Sequence, residues 1–163
     1  MKKLFLGFLF LVVISPIFAQ YKVGIGCYLN TRSPFSSPDF PETNLNSYEI
    51  TIKAILPDYS CWDFIGGLGN DYINFTLMKE VHRQLFYPVD LYVGLGAHVG
   101  KWKDNHWNDL AEHKKLFGGL DGTFGLQFTF MPISISLGWR PVYSFLGDNQ
   151  FYWLKQVGIR VCF

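Results

Sequence analysis

The chain has 163 residues and a formal net charge of +1, one domain's worth of polypeptide without the basic surplus that a nucleic-acid binder needs. It is 49% hydrophobic and 18% aromatic but only 17% charged. A water-soluble domain carries about 25% charged residues, so this composition argues against a surface turned wholly to water and points to apolar or interfacial surroundings.

Residues 1–19 read as a secretory signal. Lys2 and Lys3 form a basic start, Leu4 to Ile14 a mostly apolar stretch, and Pro16 to Ala19 a short exit ending in a small residue before Gln20. The stretch falls short of the roughly 20 residues that an anchor helix needs, so the folding unit is expected to be 20–163. Taking Lys2 and Lys3 from the 14 basic residues that face 13 acidic ones moves the formal charge from +1 to −1. Nothing later in the chain is a run of about 18 apolar residues, which excludes a helical spanning protein.

The rest of the chain alternates with a period of two, the mark of strands whose faces meet unlike surroundings. In 21–30, Tyr21, Val23, Ile25, Cys27 and Leu29 oppose Lys22, Gly24, Gly26, Tyr28 and Asn30. Weaker alternation covers about 46–56, 60–69 and 71–84, where Tyr48, Ile50 and Ile52, then Trp62 and Phe64, then Ile73, Phe75 and Leu77 define one face. It is strong again at 91–102 (Leu91, Val93, Leu95, Ala97 and Val99), at 120–130 (Leu120, Phe124, Leu126 and Phe128), at 133–140 (Ile133, Ile135, Leu137 and Trp139) and at 156–163 (Val157, Ile159, Val161 and Phe163). Eight strands near 10 residues long, joined neighbour to neighbour, predict an all-β fold: an eight-stranded antiparallel up-and-down transmembrane β-barrel. The connectors at 57–59, 85–88 and 131–132 read as short turns on one side. Those at 31–45, 103–115 and 143–150 read as outer loops, with a short exception at 69–71 and a short helix expected at 108–116.

With the apolar parity outward, the inward parity carries Lys22, Glu49, Lys53, Asp63, Glu80, His82, His98, Asp121, Arg140 and Arg160. The interior of so small a barrel is filled by side chains, so these charges are expected to form a paired internal network that braces the wall. Inward glycines, among them Gly94, Gly96, Gly125, Gly138 and Gly158, would make room for large neighbours such as Tyr28, Tyr92 and Arg140. Tyr72, Trp102 and Tyr152 share the inward parity and are expected to pack inside, while other aromatics form interfacial girdles.

The order of Leu91 to Gly100, Gly119-Leu120-Asp121-Gly122, Leu126 to Pro132, Ile135 to Pro141 and the closing Gly158 to Phe163 resembles the small, largely uncharacterised outer-membrane β-barrel proteins of Bacteroidota. The resemblance implies the outer membrane of a Gram-negative bacterium, lipid as surroundings, and an assembly signal ending in Phe163 that is read by the barrel assembly machinery. It also implies an acidic residue where this chain has Gly138.

Chemistry is sparser. His98, Ser134, Ser136 and Asp121, with His82 and Glu80, share the inward parity and are the candidates for a nucleophile-and-base arrangement, which would make a lipid-modifying enzyme by acyl transfer or ester hydrolysis. Against this stands a structural or surface-binding barrel whose outer loops meet an extracellular ligand. A third reading is an exported soluble lipid-binding barrel, which would reverse the faces. His106 and His113 with Asp104, Asp109 or Glu112 lack a compact metal-site spacing, so neither a metal nor a cofactor is expected. No glycine-rich helix start for phosphate is present. Cys27, Cys61 and Cys162 leave open one disulfide or three free thiols.

Overall fold

The computed structural model describes residues 23–32, 47–56, 58–69, 72–102, 116–147 and 150–163. The expected signal segment, Lys22, His106, His113 and most of the outer loops lie outside them. Eight strands follow in order: β1 (Val23–Arg32), β2 (Ser47–Ile55), β3 (Ser60–Gly69), β4 (Tyr72–Phe86), β5 (Val89–Trp102), β6 (Leu116–Phe130), β7 (Ile133–Leu146) and β8 (Gln150–Cys162). Each pairs antiparallel with the next, and β1 pairs with β8, so the sheet closes into a barrel. At the seam Phe163 donates its N–H to the Val23 carbonyl at 2.9 Å, and Val23 donates to the Phe163 carbonyl at 3.4 Å. Closure leaves no strand edge, which is what allows a sheet to sit in a medium that offers no hydrogen bonds.

The alternation sorts residues to the two faces as their polarity dictates. Ile50, Phe75, Leu95, Leu120, Leu137 and Ile159 are exposed on the outer surface, and Leu95 reaches 77%. Glu49, Lys53, Asp63, Glu80, Asp121, Arg140 and Arg160 are each 2% exposed or less inside. Apolar outside and charged inside is the reverse of a water-soluble barrel and the arrangement of a transmembrane one. The soluble lipid-binding alternative needs the opposite faces and is therefore excluded by geometry.

Short connections gather at one end, here the turn end: Leu56 to Tyr59, Tyr87-Pro88 and Met131-Pro132. In the first, Ser60 donates its N–H and its hydroxyl to Asp58 at 3.2 and 2.6 Å, holding that carboxyl below the usual carboxylate range. The opposite, loop end carries the connections at 33–46, 70–71, 103–115 and 148–149.

Two boundaries differ from the sequence expectation. Leu116, placed at the end of a short helix, opens β6, and the rest of that helix lies outside the described residues. The outer loop expected over 143–150 is mostly strand, because β7 runs on to Leu146 and β8 starts at Gln150. Alternation continues past Pro141 with Val142 and Ser144 inward and Tyr143 outward, and Gly147 then turns the chain at φ 93°. Pro141 has no N–H to donate, and the β6–β7 ladder skips from Phe124–Trp139 to Asp121–Val142 around it. The three cysteines are free: Cys27 faces outward, Cys61 and Cys162 inward.

Candidate functional site

The lumen is built in layers, and glycines decide which side chains reach across it. Tyr92 on β5 pairs in register with Gly125 on β6, which pairs with Gly138 on β7. A Cβ at Gly125 would lie 2.7 Å from the Tyr92 hydroxyl, and one at Gly138 would meet the same phenol. The space of the acidic residue implied at 138 is thus taken by Tyr92. Tyr28 lies over its partner Gly158 in the same way, 2.6 Å from where a Cβ would stand.

At the loop end the lumen is closed by apolar packing. Tyr72, Phe117, Val142 and Leu154 are buried together, with Trp102 and Tyr152 against them. Tyr72 meets Trp102 and Phe117 edge to face at 5.6 and 5.9 Å, a favoured aromatic geometry.

Beneath this layer, His98 Nδ1 contacts Asp121 Oδ1 at 2.5 Å and His98 Nε2 contacts Ser144 Oγ at 2.9 Å. His98 reaches β7 because its partner on the intervening β6 is Gly119, whose own partner is Ser144. Ser134 and Ser136, the serines singled out from sequence, are far from it: at about 3.3 Å per residue they lie roughly 26 Å or more from Ser144 along β7. Ser136 instead accepts from Arg160 at 3.5 Å. His82 and Glu80 meet at 3.0 Å near the turn end, in a separate cluster.

Arg140 occupies the next layer. Its Nη1 donates to both oxygens of Glu49 at 3.1 and 3.0 Å, its Nε to Asp121 Oδ2 at 3.0 Å and its Nη2 to Thr76 at 2.6 Å and to Asp121. Hydrogen bonds between an ionised donor and an ionised acceptor are about twice as strong as neutral ones. Below it, Asp63 accepts from Tyr28 at 2.8 Å and from Thr51, and lies 3.5 Å from Arg160 and 3.8 Å from Lys53. The Arg160 guanidinium stands 4.5 Å over the Tyr28 ring. Lys53 donates to Glu80 at 2.6 Å, and Cys61 and His82 complete that corner.

Among the described residues, three buried cations face four buried carboxylates, and both imidazoles sit against carboxylates. Each carboxylate draws partners from other strands, so the charges tie the wall together rather than line a path. Lys22 lies outside the described residues. Ser144, Thr76, Thr51 and Cys61 were missed because parity predicts which face a residue takes but not which residues meet across it. For Ser144 a signal existed in the glycine at 119.

These features define a class: an eight-stranded antiparallel transmembrane β-barrel with a polar interior filled by side chains. Within it, the chain is similar to the N-terminal β-barrel domain of Pseudomonas aeruginosa OprF, with a TM-score of 0.68 and 16% identity over 86% of this chain and 96% of that one. It is similar to neisserial surface protein A, NspA, at 0.57 and 17% over 86% and 96%. It is also similar to the Yersinia pestis outer membrane protein Ail in a phospholipid bilayer nanodisc, at 0.51 and 17% over 86% and 99%. At these identities the likeness is one of fold. No family model and no curated protein matches the chain.

Proposed function

We propose that the protein is an integral outer-membrane barrel of a Gram-negative bacterium, with a structural or surface-binding role at its outer loops. On its motifs it would be one of the small Bacteroidota barrels. The observation that carries the reading is the inversion of faces on a closed sheet, which suits lipid outside and ionic bracing inside. Similar folds in outer-membrane and surface proteins support the location. The outward aromatic Phe163 at the seam is available to the barrel assembly machinery as a terminal signal, and any extracellular ligand would meet the loop end. Cell fractionation is expected to place the chain in the outer membrane, and an unboiled sample is expected to migrate faster than a boiled one in a detergent gel. A detergent-free monomer in the periplasm would overturn the proposal.

The Ser144–His98–Asp121 chain of contacts favours a second reading, acyl transfer or ester hydrolysis. Its connectivity is that of a nucleophile, a base and an orienting carboxylate. Its weight is smaller because Ser144 is 3% exposed beneath the aromatic layer and Asp121 is also held by Arg140. A fluorophosphonate probe should label the folded protein and not Ser144→Ala; absence of labelling in the unsubstituted barrel removes this reading.

A further inference from the structure

The bracing layers explain most of the buried charge, but at the turn end Cys61 and His82 join Glu80 in a cluster that the bracing does not require. We propose that Cys61, Glu80 and His82 form a binding site for a single divalent transition-metal ion of borderline softness, zinc by ligand chemistry.

The placement follows from register. Cys61 on β3 is the pairing partner of Glu80 on β4, and His82, two residues further along, takes the same inward face. The donor atoms form a closed triangle: Cys61 Sγ to His82 Nε2 is 3.4 Å, His82 Nε2 to Glu80 Oε2 is 3.0 Å, and Cys61 Sγ to Glu80 Oε2 is 3.6 Å. A tetrahedral zinc ion bound at about 2.0–2.3 Å separates neighbouring donors by roughly 3.3–3.7 Å. The three atoms therefore already stand close to the spacing that such an ion imposes, and they are the one such group among the described residues.

Protons serve the triangle less well than a metal does. A thiol hydrogen and one ring N–H can satisfy the two sides that end on Glu80, leaving thiol and imidazole in contact without a shared proton. On binding, the Cys61 S–H bond breaks, the sulfur–metal bond forms, and the proton leaves to solvent. The donor set also selects the ion: thiolate with imidazole and one carboxylate suits zinc, whereas calcium and magnesium need six or more oxygens.

The surroundings fit this use. His82 is stacked on Tyr92, with ring centroids 5.6 Å apart and planes at 20°, which restricts rotation of the ring. Its side chain is 10% exposed, against 1% or less for Cys61 and Glu80, so His82 is the donor through which solvent reaches the cluster. Lys53, 2.6 Å from the same Glu80 oxygen, anchors the carboxylate and competes with the ion for it. Among the described residues that competition makes the site one for a labile metal rather than a structural zinc.

Cobalt(II) is the probe, because thiolate ligation gives a near-ultraviolet charge-transfer band. Titrating the detergent-solubilised barrel should show one Co(II) per chain with that band, displaced by Zn(II). Cys61→Ser should abolish the band, and His82→Gln should weaken binding by about 100-fold or more, beyond what loss of an outer partner does. The double variant Cys27→Ser/Cys162→Ala, which keeps Cys61 alone of the three thiols, should retain it. Absence of the band from the folded unsubstituted protein, its survival in Cys61→Ser, or its loss in that double variant would each overturn the proposal. The gel shift reports folding in every sample, so a failure to bind is read separately from a failure to form the barrel.

Discussion

Replacing Arg140 by methionine is expected to destabilise the folded barrel by about 3–5 kcal/mol, the loss seen when one member of a buried ionic group is removed and its partners stay charged. Arg140 is 2% exposed and holds Glu49 on β2, Thr76 on β4 and Asp121 on β6 from its own place on β7. Methionine fills much of the volume but leaves the two carboxylates without their shared cation. Arg140→Lys should fall between, since an ammonium keeps the charge and loses the planar fork whose Nε and Nη2 meet Asp121 while Nη1 holds Glu49. Adding Glu49→Gln and Asp121→Asn to Arg140→Met should recover part of the loss, because the stranded charges go with their partner. The measurement is the urea concentration at which the fast-migrating folded band disappears in detergent. An Arg140→Met barrel that unfolds with the unsubstituted protein would mean that the network does not hold the wall.

The second large effect lies on the outer face. Leu95, midway along β5 and 77% exposed, is expected on conversion to arginine to cost about 2–4 kcal/mol in bilayer vesicles, the penalty for a cation at the membrane midplane. Leu116, outward at the loop-end start of β6, should tolerate the same change at about 0–1 kcal/mol because a rim residue can reach the interface. The contrast between the two sites is the test, since an exposed leucine on a water-soluble surface would be indifferent to either change, within about 0.5 kcal/mol. Equal, small effects at both positions, read by folding equilibrium in vesicles, would refute a lipid-facing exterior.

Face assignment was legible in the sequence because it depends on a local quantity, the period of two. Tyr28, Glu49, Asp63, Glu80, Asp121 and Arg160 could each be placed inside from their immediate neighbours, and so could Tyr72 and Trp102 at the loop end. Pairing was not legible, because it depends on stagger between strands and on where glycines open a path. Arg140 meets Glu49 across 91 positions, and no local pattern marks that meeting. Ser144 shows the mixed case. Its inward parity is readable from Val142 and Tyr143, but Pro141 and the loop-like composition of Gly147-Asp148-Asn149 make the segment read as loop. His98 was accordingly matched with Ser134 and Ser136, which share its face but not its depth.

The ion pairs also bear on the seam. Around the ring, Arg140 on β7 and Arg160 on β8 lie on one side of the β1–β8 junction, and their partners Glu49 on β2 and Asp63 on β3 lie on the other. Parting β1 from β8 would therefore break more than the backbone ladder: it would pull Arg160 from Asp63 and Arg140 from Glu49, leaving Arg140 only Asp121 on its own side. The two cross-lumen pairs thus latch the junction from within against lateral opening.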